Sequence, residues 1–209
     1  MKKKIILIVL VVLIACGLLV FVSLNPASTS TITESTEKAT KDESGVDWST
    51  YTVYDIELGN GNVSITKAGV YNLSGKLNGK ITINTNDNVK IILNGVNIKS
   101  SNSPAIYIVK AKNTYIEIKG KNTIKSTTTD KLDAAIYSKD DLYLYGDGTL
   151  TINSNKDGIA GKDDLYILSG TYNITATNDG IKGKDTVNIT NGNFTINRSE
   201  ERRVGKECR

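Results

Sequence analysis

From residue 47 to 197 the chain alternates apolar and polar residues in short runs rich in Val, Ile, Leu, Tyr and Thr, separated by Gly, Asn and Asp. Alternation with a period of two sends every second side chain to the same side of a strand. No segment sustains a helical period, so many short strands joined by tight turns are predicted.

The runs repeat. Residues 141–164 (DLYLYGDGTLTINSNKDGIAGKDD) are matched by 164–185 (DLYILSGTYNITATNDGIKGKD), and then by 186–197 (TVNITNGNFTIN), which stops within the unit. Leu142, Leu165 and Val187 lie 23 and 22 residues apart, as do Ala135, Gly158 and Gly180, each followed by Ile. Upstream, 89–98 (VKIILNGVNI) and 115–124 (YIEIKGKNTI) carry the unit with longer insertions, and Ile91, Ile116 and Leu142 are taken as equivalent positions. Three strands per repeat of this length make one coil of a parallel β-helix, whose inner face is covered only when neighbours stack. Leu142, Leu144, Leu150, Ile152 and Ile159 then point inward, followed by Leu165, Ile167, Tyr172, Ile174 and Ile181. A leucine-rich repeat lacks its Leu pattern here, and a β-sandwich would not repeat its sequence. Residues 61–75 are expected to form the first, capping coil.

Before this domain come two segments of different texture. Lys2, Lys3 and Lys4 precede an uncharged run from Ile5 to Leu24, so 1–24 reads as an export signal or membrane anchor in a hydrophobic helix. Leu13-Ile14-Ala15-Cys16-Gly17 also fits a lipoprotein signal with Cys16 as the lipidated residue. Residues 25–46 are Ser, Thr, Glu and Lys with few large apolar groups, and a disordered stalk is expected. The domain at 47–197 is therefore placed outside the cell, on the bacterial membrane face or cell surface.

Composition removes several chemistries. The chain has no His and two Cys, at 16 and 208, which excludes a Ser-His-Asp or Cys-His nucleophile, a His-bearing metal site and a disulfide framework. Within 47–197 there are 16 Lys and 15 acids, so the overall charge of +4 is no sign of nucleic acid binding. Arg198, Arg202, Arg203 and Arg209 are the chain's four Arg, all within its last twelve residues. The tail RSEERRVGKECR reads as the in-frame translation of a common short-read sequencing adapter. Residues 198–209 are thus expected to be an artefact, and the β-helix to be truncated at its C-terminal end.

Candidate chemistry lies outside the core. Equivalent positions of adjacent coils sit about 4.8 Å apart, which stacks Asp140 and Asp141 with Asp163, Asp164 and Asp185, and Asp157 with Asp179. Carboxylates so close repel unless a positive group lies between them. Calcium, which takes six to eight hard oxygens, is one candidate; Asn153, Asn155, Asp157 and Asp164 loosely follow the spacing of an EF-hand loop without its terminal Glu. The alternatives are that Asp157 and Asp179 are turn residues before Gly, and that Lys139, Lys162 and Lys184 neutralise the other ladder. Tyr143 and Tyr166 face outward on adjacent coils, as do Tyr107 and Tyr137. Flat rings beside Lys162 and Lys184 suit a sugar carrying carboxylates, although stacked Tyr also stabilises a sheet without a ligand.

The stretches ITKAGVYNLSGKLNGKITI (65–83), VKIILNGVNIKSSNSPAIYI (89–108), DGIAGKDDLYI (157–167) and DGIKGKDTVNI (179–189) resemble the carbohydrate-binding β-helix family of clostridial surface proteins. The resemblance covers about 61–197. It implies an extracellular right-handed parallel β-helix, similar in fold to pectate lyases, that binds calcium and acidic plant cell-wall polysaccharide such as polygalacturonate. A non-catalytic binding module is the leading expectation. A lyase would need a Lys or Arg base, for which Lys162 or Lys184 is available, but their tandem repetition and the lack of Arg in the domain argue against it. A purely structural adhesin is the third class.

Overall fold

The computed structural model describes residues 29–128 and 132–198. These form a parallel β-solenoid of about six turns. A first strand, β1 (Thr31–Glu34), precedes the coils. Coil one is β2 (Val53–Asn60) and β3 (Val63–Ile65); coil two is β4 (Gly69–Asn78) and β5 (Ile81–Asn84). Coil three is β6 (Val89–Asn94), β7 (Asn97–Ser101) and β8 (Ile106–Lys110); coil four is β9 (Thr114–Lys119), β10 (Lys121–Thr127) and β11 (Ala134–Ser138). Coil five is β12 (Leu142–Tyr145), β13 (Thr149–Ser154) and β14 (Asp157–Gly161); coil six is β15 (Leu165–Ile167), β16 (Thr171–Ala176) and β17 (Ile181–Gly183). Two further strands, β18 (Val187–Ile189) and β19 (Asn193–Arg198), follow.

Stacking gives three faces. Face one holds β6, β9, β12, β15 and β18, and face two holds β7, β10, β13, β16 and β19. Face three is the separate sheet β3, β5, β8, β11, β14 and β17. The first two faces join because β4 runs along both, pairing β6 through Gly69–Leu73 and β7 through Lys76–Asn78. It turns the corner at Gly75, whose φ of +90° favours a residue without a Cβ.

The core is a set of ladders, one apolar residue per coil. Leu77, Ile98, Ile124, Ile152 and Ile174 stack along face two, and Ile81, Ile106, Ile136 and Ile159 along face three. All nine are buried, each contributing roughly 1.5–3 kcal/mol by leaving water. The inward residues expected from alternation are buried except Ile181, which is partly exposed.

The expected register was wrong at one junction. Ile91 and Ile116 stack on Leu144, whereas Leu142 stacks on Thr114 and Val89. A slip of two residues leaves every side chain on the same side of the strand, so burial was assigned correctly from an incorrect alignment.

The larger difference is at the N-terminal end. The first coil begins at Val53, not Gly61, and residues 29–46 are laid on the solenoid instead of forming a free stalk. β1 pairs antiparallel with β2, from Thr31 opposite Glu57 to Glu34 opposite Tyr54. The chain then runs as a strap along face one as far as coil six, where Ser169 donates to Glu43 at 2.7 Å. Composition misled here because the open edge of β2 offers backbone partners to any sequence, and because one apolar anchor, the chain's single Trp, follows the polar stretch. Trp48 is fully buried. No helix among the described residues is long and apolar enough to cross a membrane; residues 1–24, with Cys16, and 199–209 lie outside the described residues.

Candidate functional site

The turns from face three to face one carry the repeated Lys-Asp-Asp sequence, and the register Leu142 to Leu165 and Ile136 to Ile159 brings them together. The Asp164 N–H donates to Asp141 at 3.3 Å, and Asp140 accepts from the Ala111 N–H at 2.8 Å. Burial is the largest influence on Asp141, raising its pKa, with Asp163, Asp164 and Asp140 adding to the rise and the Asp164 N–H opposing it. Among the described residues no Lys lies within ion-pair distance of Asp140, Asp141, Asp163 or Asp164.

On the face-one side of this corner stands a column of stacked rings. Tyr115 and Tyr143 have centroids 4.7 Å apart, and Tyr143 and Tyr166 4.6 Å, with interplanar angles of 16° and 9°. Tyr166 donates its hydroxyl to Asp164 at 3.0 Å, and that bond is the main reason its pKa is pushed up to about 12. Carboxylates and rings thus form one surface. Tyr143 and Tyr166 are half-buried.

On the face-three side, Tyr107 and Tyr137 pack edge to face at 5.8 Å. Lys139 lies 5.7 Å over the Tyr107 ring and Lys162 5.5 Å over Tyr137. These lysines fold back over aromatic faces and form no close ion pair with the aspartates beside them, although the charge of Asp140 still acts on Lys139. Tyr137, expected to be an open sugar contact, is only 4% exposed, because Lys162 covers it and it packs with Ala134 and Ala160. Lys184 is 3.6 Å from Asp185, both exposed.

Asp157 and Asp179 do not join this cluster. They lie at the turn from face two to face three, where Asp157 is fully buried, accepts from the Asp179 N–H at 3.0 Å and pairs with Lys182 at 3.1 Å. Its carboxylate therefore already has partners, an N–H and an ammonium group of the next coil. Asn155 is likewise spent on the Thr128 backbone, as acceptor and donor. For the corner aspartates, donor type and charge fit a hard divalent cation, and carboxylates approach one another across a pair of coils; among the described residues, however, no three Asp or Glu are arranged to hold a metal ion.

Sequence reasoning missed Tyr115, Lys90 and Tyr145, which follow from the register slip and from the strap. Lys90 is in register with Tyr115 and Tyr145 with Glu117. The Lys90 ammonium, nearly buried, contacts Asp42 of the strap and Glu117, the latter at 2.6 Å, while Tyr145 donates to Asp42 at 2.7 Å. Burial pushes Asp42 up, but the bonds from Lys90, Ser44 and Tyr145 together hold its pKa below the ordinary value. Trp48 caps the ring column, packing edge to face with Tyr115 at 5.2 Å between ring centroids. Aligning Tyr115 with Tyr143, each before an alternating apolar run, was the signal available for the column; the strap had none beyond Trp48.

The fold is thus a parallel β-solenoid that carries an acidic corner beside an outward column of aromatic rings. The family described as carbohydrate-binding domain-containing protein matches residues 59–202, and the chain belongs to it. A relative of that same description from Acetivibrio thermocellus is 36% identical over 122 residues, covering 52% of this chain and 43% of the relative. The chain thus spans less than half the length of that relative. The solved structure of a polysaccharide lyase-like protein from C. thermocellum, a gadolinium derivative, matches with a TM-score of 0.56 at 33% identity, over 65% of this chain and 71% of that one.

Proposed function

We propose that this chain is a non-catalytic, surface-tethered module that binds an acidic, uronate-bearing plant-type polysaccharide with the help of calcium. The observation that carries the reading is the corner of Asp140, Asp141, Asp163 and Asp164, with no lysine at ion-pair distance among the described residues, beside the ring column of Tyr143 and Tyr166. Asp141 and Asp164 supply two carboxylates to a calcium ion, and a uronate carboxylate supplies further oxygens. Because the rings stack face to face, Tyr143 and Tyr166 offer their outward ring edges to the C–H surface of the sugar, with Tyr107, Lys162 and Lys184 on the far side of the corner as secondary contacts. The gadolinium used with the solved relative is a hard cation that favours the same oxygen donors. The solenoid is right-handed, the hand that parallel crossovers almost always take, and residues 1–24 export and hold the chain at the membrane, through their apolar run or through Cys16.

A lyase reading draws support from the solved relative's description as lyase-like. Against it, the Lys162 ammonium lies over the Tyr137 ring and the Lys184 ammonium beside Asp185, so both are already engaged. The test is retention on polygalacturonate with calcium or with chelator, together with absorbance of unsaturated product. Calcium-dependent retention, lost in Asp141→Asn/Asp164→Asn and without product, supports the reading. Product formation would replace it with a lyase, and retention indifferent to calcium and to both variants would remove the corner from the site.

A further inference from the structure

A second groove runs along face one at the other end of the solenoid, between the coils and the strap. Its floor is two rows of outward side chains parallel to the solenoid axis. One row is Thr33, Asp55, Asn72, Ile92 and Glu117, in register across five strands from β1 to β9. Beside it stand Thr31, Glu57 and Ser74, then Asn94 and Lys119. Strap residues Glu37 to Thr40 and Asp42 line the side wall. The space over the floor is about 540 Å³, continuing into a narrower one of about 200 Å³ under the strap. The four spacings of about 4.8 Å between five strands give a trough of roughly 19 Å, long enough for several sugar units laid along the axis.

The lining is acidic. Glu37, Asp42, Asp55, Glu57 and Glu117 face Lys38, Lys90 and Lys119, and these bases are already engaged in part: Lys90 with Asp42 and Glu117, Lys119 with Glu117. Among the described residues Asp55 and Glu57 have neutral side-chain partners, the Asn72 amide at 2.7 Å and the Ser74 hydroxyl at 3.2 Å. Both belong to β2 and stand side by side across the trough, and among the described residues no set of three acids is arranged for a metal ion. A uronate chain would be repelled here. A sugar chain that brings an ammonium group to the level of β2, with hydroxyls for Asn72, Ser74 and Asn94 and a C–H face for Ile92, matches in charge and in donors.

We infer that this strap-walled groove is a separate binding site for a glycan carrying free amines, an amino-sugar chain, which rests on carbohydrate binding by this chain but not on the acidic corner. The ammonium groups pair with Asp55 and Glu57, and the sugar hydroxyls bond the amide and hydroxyl row.

The test uses the whole chain and four probes: oligoglucosamine, its fully N-acetylated counterpart, oligogalacturonate and oligolysine, each titrated calorimetrically at low and high salt. Oligoglucosamine binds, weakens with salt, and weakens about tenfold in Asp55→Asn/Glu57→Gln, while oligogalacturonate binding is unchanged in that variant. Asp141→Asn/Asp164→Asn gives the reverse pattern. Absence of oligoglucosamine binding, equal binding of the acetylated chain, or insensitivity to the groove variant would overturn the inference while leaving the corner site standing. Tighter binding of oligolysine would overturn it in favour of a basic peptide. Loss of oligogalacturonate binding alone would count against the corner and leave the groove assignment intact.

Discussion

Replacing Trp48 with Ala should release the strap without unfolding the solenoid. The indole is fully buried, stands 4.9 Å from Tyr51 and 5.2 Å from Tyr115, lies under the Lys90 ammonium at 5.9 Å and donates to Ser44 at 3.1 Å. Truncating a buried Trp costs about 3–5 kcal/mol. Within a continuous core that loss would fall on global stability, but Trp48 packs on the outside of face one, in a cluster separate from the inner ladders. The loss is therefore taken by the opening of the strap alone, a local unit in the sense of native-state exchange. At about 1.4 kcal/mol per decade, 3 kcal/mol raises the open population about a hundredfold. Hydrogen exchange read peptide by peptide should show protection lost at the Ser35 and Tyr51 amides, which bond Val53 and Trp48, with the amides of β9, β12 and β13 unchanged. Protection lost evenly across all coils, or strap amides already unprotected in the unmutated protein, would refute the idea of a docked, separable strap.

Other expectations follow from single contacts. Ile159→Ala, within the face-three ladder, should cost about 2–5 kcal/mol in a denaturant titration, whereas Tyr166→Ala on the outer column should shift the midpoint by less than half as much. Gly158→Ala should destabilise by about 1–3 kcal/mol, because a Cβ there would come within 2.4 Å of the Gly180 carbonyl oxygen and 2.5 Å of Ile174; a thermal melt unchanged from the parent would contradict that packing. Asp42 has a pKa below its ordinary value of 3.8, so its ionised form is favoured by folding. The strap contact is then fully present above that ordinary value and is lost as pH falls through the lower folded one, which strap-specific proteolysis across an acid series would detect. Asp141 is shifted the other way. Without divalent cations Asp141→Asn should raise stability slightly, by about 0.5 kcal/mol or less after solvent screening, and a marked loss would show that the carboxylate is needed for structure.

The inner half of the structure was legible in the sequence because burial in a stacked coil depends only on alternation and repeat length. Leu150, Ile152, Ile159, Tyr172 and Ile174 followed from the chain read as text, and the two-residue slip at Leu142 did no harm to that reading, since parity alone decides which side a strand residue takes. The pairs Tyr143 with Tyr166 and Tyr107 with Tyr137 were legible for the same reason. What surrounds an outward residue was not. Whether Lys162 answers Asp163 or lies on Tyr137, whether Asp157 stays open or meets Lys182, and whether Tyr137 is a platform or is covered all depend on side-chain directions across coils. The strap is the clearest case: polar composition from 29 to 46 predicts a chain that cannot order itself, which is true of the segment in isolation. Its order comes from the edge of β2 and from a pocket formed by Val53, Val70, Tyr115 and Tyr145 on four different coils, a surface that exists only once the solenoid has folded.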